Sequence, residues 1–256
     1  MIDLHSHILP GLDDGAPDIE VSVAMARRAV SEGTGVMVGT PHVSLEYRVE
    51  PAGLRALSER LTAELAERGV PLVVLSGAEL DLARLPELGE PELAASVIAD
   101  GPYLLVESPY SPAMPFLEEQ LFTLRTQGYR PVLAHPERCP LFQKEPERLG
   151  ALVRQGILCS VTAASMEGRF GKTARRFTLE LFREGMVHDV ASDAHDASRR
   201  APGLGRGFES LDEDLPGLAD QRDWYALEAP DAIVRGDPLP RRPHPPAPRR
   251  SRWWRR

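Results

Sequence analysis

Cysteine is scarce in this chain. The sequence contains two cysteines, Cys139 and Cys159, and they do not form a Cys-x-x-Cys pair. Such a small number at this spacing provides neither a disulfide framework nor the signature of a zinc ribbon. The scarcity of cysteine fits a protein that works in a reducing compartment.

Long apolar runs are also missing. No stretch approaches the roughly 18 consecutive apolar residues of a membrane-spanning helix. The N-terminus lacks the basic segment and apolar run of a secretory signal peptide. We therefore expect a cytoplasmic protein.

Positive charge is sparse outside the last residues. The net charge is −8, and because residues 241–256 hold seven arginines and no acid, residues 1–240 carry −15. A body this acidic argues against a broad nucleic-acid-binding surface. The Pro/Arg-rich segment 237–256 cannot build a core, so we predict a disordered tail. Its arginines leave open an attachment to anionic lipid, and an inert extension is the alternative.

Short apolar runs alternate with amphipathic segments between residue 1 and about residue 236. Examples of the latter are 19–32, preceded by the capping residue Asp18, and 51–68. This alternation predicts a parallel sheet covered by helices. Seven strand candidates in about 200 residues favour an α/β barrel over an open sheet. In such barrels the reactive groups gather at the carboxyl ends of the strands.

Strand after strand ends on a residue type that binds metals. These residues are His5, His7, His42, Glu79, Glu107, His135, Asp193 and His195. Each is ordinary in isolation, since a His-x-His pair is often exposed and a buried carboxylate is usually paired with arginine. Together, however, imidazoles and carboxylates suit divalent manganese, iron or zinc. The accumulation predicts a multinuclear metal site.

Five segments resemble the polymerase-and-histidinol-phosphatase (PHP) superfamily. They are residues 3–15, 40–42, 77–79, 135–138 and 192–195. Within that superfamily they look most like the bacterial manganese-dependent protein-tyrosine phosphatases of capsule and exopolysaccharide loci, the CpsB/CapC/YwqE type. The block Asp-Leu-His-Ser-His-Ile-Leu-Pro-Gly-Leu-Asp-Asp-Gly is far more specific than His-x-His alone. The loop 108–115 departs from the Phe-Pro pair usual in that family.

The resemblance implies a distorted (β/α)7 TIM-like barrel over residues 1–236 that holds up to three ions. Manganese is the metal expected first, with iron or zinc as alternatives. By matching motif positions, three ligand sets follow: His5, His7, Glu79 and Asp193; Glu79, Glu107 and His135; and Asp14, His42 and His195. Arg138 would bind the substrate phosphate, and Arg200 (or Arg199) would be a second phosphate contact. Asp14 and His195 are the candidate general acids.

The implied activity is hydrolysis of phosphotyrosine by a metal-activated water. The implied substrate is the tyrosine-rich tail of a bacterial tyrosine kinase that controls capsule or exopolysaccharide synthesis. Neither cysteine begins a Cys-x5-Arg loop, so a thiol nucleophile is not expected. Two alternatives stay open. They are a small-molecule phosphomonoesterase of the histidinol-phosphatase kind and a non-catalytic, metal-bound scaffold that docks on a kinase.

Overall fold

The structure is a computed structural model that describes residues 1–111 and 114–244. Parallel strands alternate with helices along the chain, as the sequence predicts. The strands are β1 (Ile2–Ser6), β2 (Val36–Gly39), β3 (His42–Val43), β4 (Val73–Ser76), β5 (Glu79–Leu80), β6 (Tyr103–Glu107), β7 (Arg130–Ala134), β8 (Leu158–Thr162) and β9 (Asp189–Ala191). The short strands β3 and β5 were not predicted.

The strands form two parallel sheets whose edges meet. One sheet has the order β1-β2-β4, and the other has the order β3-β5-β6-β7-β8-β9. Along the chain, β3 follows β2 and β5 follows β4 after brief interruptions. Ser6, the last residue of β1, forms a parallel bridge with Ala194, which follows β9, and the His7 amide donates to the Ala194 carbonyl at 2.8 Å. The carboxyl ends of the strands therefore face a common region.

The helices lie in the connections between strands. In the described residues they are α1 (Ile19–Ser31), α2 (Leu54–Glu67), α3 (Glu90–Ala95), α4 (Leu117–Thr126), α5 (Pro140–Lys144), α6 (Pro146–Arg154), α7 (Ala163–Met166), α8 (Gly171–Arg183), α9 (Gly205–Asp212) and α10 (Ala229–Arg235). Asp18 caps α1 as predicted, because its carboxylate accepts from the Val21 amide at 3.0 Å. Helices α5, α7 and α9 were not predicted. At four to eight residues they are too short to show a helical period.

Two apolar clusters hold these layers together. The larger one combines helix and strand side chains, and the smaller one joins strand residues such as Ile2, Leu4 and Val132 to Ile233 of α10. The end of α10 lies at the amino end of β6, since Gly236 packs directly on Gly101 and leaves no room for a Cβ there. The amino ends of β1, β6 and β8 thus begin in apolar contacts.

The segment predicted to be a disordered tail begins with residues that contact the body of the protein. Tyr103 donates to the Asp237 carbonyl at 3.3 Å, and Leu239 packs against both apolar clusters. The Arg242 guanidinium carbon lies 5.4 Å from the centre of the Trp224 ring. Apolar and cation–π contacts therefore attach the start of this segment to the body, and disorder of the tail stays a prediction. Residues 245–256 lie outside the described residues.

None of the described helices combines the length and apolar character needed to span a membrane.

Candidate metal centre

The two histidines at the end of β1 begin the site. Both are buried, and their Nε2 atoms lie 3.2 Å apart. The Nδ1 of His7 donates to Asp13 Oδ2 at 2.6 Å, which leaves Nε2 as the lone-pair nitrogen on the site side. Asp13 also accepts from the amides of His42 and Gly15, both at 2.9 Å. Burial opposes ionisation of Asp13, but the hydrogen bond and charge of His7 together with the two backbone amides outweigh it and lower the pKa of Asp13.

A tight turn places Asp13 beneath His7. A Cβ at Gly15 would overlap the carbonyl oxygen and Cβ of His7, so this approach requires glycine. The motif Asp-Asp-Gly therefore fixes the position of the orienting carboxylate. Sequence analysis assigned a role to Asp14 and missed Asp13, since two adjacent aspartates look alike in sequence.

Glu79 lies at the centre of the cluster. Its Oε1 is 2.9 Å from His135 Nε2. Its Oε2 lies 3.1 Å from His42 Nδ1, 3.3 Å from His5 Nε2 and 3.5 Å from His7 Nε2. Burial raises the pKa of Glu79, but the surrounding histidines, His5 foremost, hold it well below its usual range.

The loop after β9 contributes Asp193 and His195. Asp193 Oδ1 lies 3.5 Å from Nε2 of both His5 and His7. His195 Nδ1 donates to the Asp193 carbonyl at 3.0 Å, which leaves Nε2 3.3 Å from Asp14 Oδ1. Asp193 and His135 both have left-handed backbones, with φ of 51° and 37°. Such strain costs about 1–3 kcal/mol per residue and is typical of functional sites.

A second group of ligand atoms lies nearer the solvent. One atom each from His7, Asp14, His42 and His195 falls within 4.8 Å of the others. The adjacent His195 imidazole is the main reason that the pKa of Asp14 is lowered to about 2. The Asp14 side chain is 42% exposed, so this group forms the mouth of the site.

Glu107, at the end of β6, forms a third group with His42 and Glu79. Burial, followed by the negative charge of Glu79, raises the pKa of Glu107 to about 8. The sequence predicted that Glu79 and Glu107 would be grouped with His135. In the structure His42 completes the group, and His135 reaches it through Glu79. Burial lowers the pKa of His135 to about 4, which keeps its imidazole in the neutral form that binds metals.

The donor set fits divalent cations. Glu79 Oε2, His195 Nε2 and His135 Nδ1 are buried and have no hydrogen-bond partner among residues 1–111 and 114–244. Buried polar atoms are otherwise almost always paired. Two carboxylates that share one buried space also call for a positive charge between them. Imidazole and carboxylate ligands without thiolates suit manganese, iron or zinc.

Two arginines border this cluster. Arg138 Nη2 and Arg200 Nη2 both contact Asp193 Oδ2, at 2.7 and 2.8 Å. The Nε atoms of both arginines are buried and have no acceptor in the described parts of the chain. Of the two candidates for the second arginine, Arg200 reaches the site, whereas the Arg199 side chain is exposed and its carbonyl accepts from Arg169. Each arginine therefore has an Nε–H donor without an acceptor in the described residues.

The comparisons with known proteins now decide the family. A family model described as capsular polysaccharide synthesis, CpsB/CapC, matches residues 1–217. This chain belongs to the CpsB/CapC family. The tyrosine-protein phosphatase YwqE of Bacillus subtilis (strain 168) is 33% identical over 252 residues, covering 98% of both chains. The putative tyrosine-protein phosphatase CapC of Staphylococcus aureus is 32% identical over 204 residues, covering 78% of this chain and 79% of CapC.

A solved structure supports the same assignment. It matches with a TM-score of 0.83 at 33% identity, and covers 97% of this chain and 99% of the other. It comes from work on YwqE from Bacillus subtilis and CpsB from Streptococcus pneumoniae, described as metal-dependent tyrosine phosphatases. The family predicted from the sequence motifs is confirmed.

Two further buried carboxylates position parts of this CpsB/CapC site, and sequence analysis missed both. Asp3 Oδ1 accepts from the amides of Ser192 (2.9 Å) and His5 (3.3 Å), which ties β1 to the loop after β9. Glu137 Oε1 accepts from the Thr162 amide and the Ser165 hydroxyl, at 3.1 and 2.6 Å. Apart from His5, their partners are at least 25 residues away in sequence, so no local pattern reveals these roles.

Both cysteines are unsuited to nucleophilic chemistry. Cys139 and Cys159 are buried, and burial raises the pKa of each thiol above its usual value. The reactive thiolate is therefore disfavoured at both positions. This supports the expectation of a mechanism without a thiol nucleophile.

Proposed function

We propose that this chain is a metal-dependent protein-tyrosine phosphatase. The observation that carries the proposal is the match to YwqE over 98% of both chains, and the family match over residues 1–217 includes every residue of the cluster. The cluster adds a physical reason, since its buried cation ligands lie beside two arginines with unused donors. Such a site suits a phosphate dianion.

The fold proposed for this activity is a distorted (β/α)7 barrel, with residues 1–236 as the phosphatase domain. β3 continues β2, and β5 continues β4. The nine strands of the described residues therefore occupy seven strand positions in the proposed barrel. The bridge between Ser6 and Ala194 joins the free edges of the two sheets. The ligands then lie at the carboxyl ends of the barrel strands, where barrel enzymes have their active sites.

We assign three ligand sets within the cluster. His5, His7, Glu79 and Asp193 would hold the first ion, and Asp14, His42 and His195 would hold the third, with His7 close to both. Glu79, Glu107 and His135 would hold the second, which His42 also approaches. Manganese is the metal that we propose, in keeping with the hard carboxylate ligands and the absence of thiolate from these sets.

The chain's own residues then bind and orient the substrate. Bound ions would neutralise phosphate charge and lower the pKa of an attacking water. Arg138 and Arg200 would hold phosphate oxygens through donors that lack acceptors among residues 1–111 and 114–244, and the forked guanidinium suits this contact. Burial of Arg138 strengthens its electrostatic contribution, because little water screens it.

Protonation of the leaving group contributes little in this proposal. The pKa of Asp14 is about 2, and burial lowers the pKa of His195, so at neutral pH Asp14 is ionised and the acidic imidazolium form of His195 is disfavoured. A tyrosine phenolate has a conjugate acid with a pKa of about 10 and departs more readily than an alkoxide. The site is thereby better suited to aryl than to alkyl phosphate esters.

The substrate that we propose is a phosphotyrosine protein in the cytoplasm. The family description, capsular polysaccharide synthesis, favours the tyrosine-rich tail of a bacterial tyrosine kinase that controls capsule or exopolysaccharide production. An acidic body argues against nucleic acid as substrate.

A side-by-side assay tests the activity. Protein stripped of metal, verified by elemental analysis, is reloaded with manganese and offered a phosphotyrosine peptide, the matching phosphoserine peptide and histidinol phosphate. We expect no activity in chelator, recovery with manganese, and the highest kcat/KM on phosphotyrosine. Cys139→Ala is the control and keeps full activity. Preference for histidinol phosphate would indicate a small-molecule phosphatase, and kinase binding without turnover would indicate a scaffold.

A further inference from the structure

Two exposed aromatic rings flank Arg138 at the mouth of the site. Tyr110 is 56% exposed and Phe170 is 37% exposed. The Arg138 guanidinium carbon lies 4.5 Å from the centre of the Phe170 ring and 6.0 Å from that of Tyr110. Large rings beside a pocket with unused donors are typical of ligand contacts rather than of core packing.

The backbone presents Phe170 at a fixed point. Gly168 and Gly171, with φ of 81° and 91°, bracket the pair Arg169-Phe170 between α7 and α8. Both glycines adopt the left-handed conformation that other residues reach only with strain. Phe170 is therefore held at the start of α8 by a turn with a defined shape. Across the mouth, Tyr110 stacks on His135, with ring centres 5.7 Å apart and planes at 28°.

The rings line a cavity of about 490 Å³ that also contains Arg138 and Arg200. Arg138 lines this cavity and is only 8% exposed, so little water screens the charge of its guanidinium. The cavity combines aromatic sides with donors for an anion. Its chemistry matches a molecule in which a phosphate is attached to an aromatic ring.

We propose that Tyr110 and Phe170 form the subsite for the phenyl ring of the substrate and determine its selection. This inference rests on the proposed phosphatase function and identifies the residues that contact the aryl group of the substrate. In phosphotyrosine the ring separates the phosphate from the peptide backbone, so the ring lies between Tyr110 and Phe170 while the phosphate reaches the arginines. A phosphoserine phosphate is one methylene from its backbone and gains no contact with either ring.

Turnover of paired substrates provides the first test. Phe170→Ala and Tyr110→Ala are compared with the native protein on phenyl phosphate and methyl phosphate, both with manganese. We expect each variant to lose roughly tenfold in kcat/KM on phenyl phosphate, mostly through KM, as befits one lost aromatic contact. Phe170 also contacts Arg138, and Tyr110 stacks on His135, so activity on methyl phosphate falls as well but by less, and the phenyl-to-methyl ratio of kcat/KM is the deciding quantity. Phe122→Ala is the matched control, because Phe122 is 59% exposed on α4 and does not line the cavity.

Binding provides a second test that does not depend on turnover. Calorimetry with phenylphosphonate and methylphosphonate gives the preference for an aryl group directly, even for a protein without phosphatase activity. The native protein is expected to prefer phenylphosphonate roughly tenfold, and Phe170→Ala to lose that preference. If Phe170→Ala has a lowered Tm, Phe170→Leu carries the test with apolar volume retained and is expected to lose part of the preference. An unchanged phenyl-to-methyl ratio in the folded variants overturns the subsite, whereas a lack of turnover with intact selectivity overturns only the phosphatase proposal.

Discussion

The two ends of the parallel strands have opposite chemistry. At the carboxyl ends, buried histidines and carboxylates face one another, and several of their atoms have no hydrogen-bond partner among the described residues. At the amino ends, Ile2 and Ile233 belong to an apolar cluster, and Gly236 packs directly on Gly101. Burying unpaired polar groups costs free energy, whereas burying apolar surface provides it. The apolar contacts at the amino ends stabilise the fold. That stability offsets the free-energy cost of burying the polar groups of the site at the carboxyl ends.

Replacement of Glu79 by glutamine tests the carboxyl end and has the largest expected effect. Four imidazoles surround this carboxylate, so removing its charge removes the group that all three ligand sets approach. We expect bound manganese to fall and kcat to drop by well over about 100-fold, since even residues that only orient metal ligands cost about 10–100-fold. Elemental analysis beside kcat measures both losses.

The control for Glu79→Gln is Glu59→Gln, an exposed glutamate on α2 that keeps native metal content and kcat. Circular dichroism of metal-free Glu79→Gln is expected to show a folded protein. A variant that retained three ions and native turnover would show that Glu79 is not at the centre of the metal site.

Replacement of Ile233 by alanine tests the amino end. Ile233 is fully buried in the smaller apolar cluster, so the change leaves a cavity and lowers the free energy of unfolding by about 2–5 kcal/mol. Metal content and kcat of the protein that remains folded are expected to be native. Urea unfolding and an activity assay well below Tm separate the two quantities.

Arg235→Ala, at an exposed position on the same helix, is the matched control for Ile233→Ala and changes stability by less than about 1 kcal/mol. A fall in kcat for Ile233→Ala without a change in unfolding free energy would contradict the division between the two ends.

Local patterns predicted the elements whose signal is local. The cap at Asp18, the apolar period of α1 and the β-branched run of β2 are all visible in sequence, and the structure agrees within about one residue. The same patterns could not predict β3 and β5, which have two residues each and form through pairing with distant strands. The roles of Asp13 and Asp3 also depend on partners that only the fold brings close.

The ligand types were predictable, but their grouping was not. Every residue expected in the metal site lies in or beside the cluster, because the carboxyl ends of parallel strands lie along the same edge of a sheet. That His42 approaches Glu79 more closely than His5 or His7 do depends on side-chain rotamers and on the local path of β3. The second arginine also could not be chosen from sequence. Arg199 and Arg200 were alternatives, and the fold shows that Arg200 contacts Asp193.

Two truncations give the smallest effect and sharpen the comparison at the amino end. A chain that ends at Gly236 loses the packing of Leu239 and the contact of Arg242 with Trp224, worth about 1–2 and about 0.5–1 kcal/mol. A chain that ends at His244 keeps both. We expect the shorter protein to melt about 4–8 °C lower than the longer one. The longer one melts with the full chain, and all three have the same kcat, because the lost contacts lie far from the metal ligands. Equal melting of both truncated chains would show that residues 237–244 contribute nothing to stability, and a drop already at His244 would show that the remaining Arg-rich segment stabilises the body.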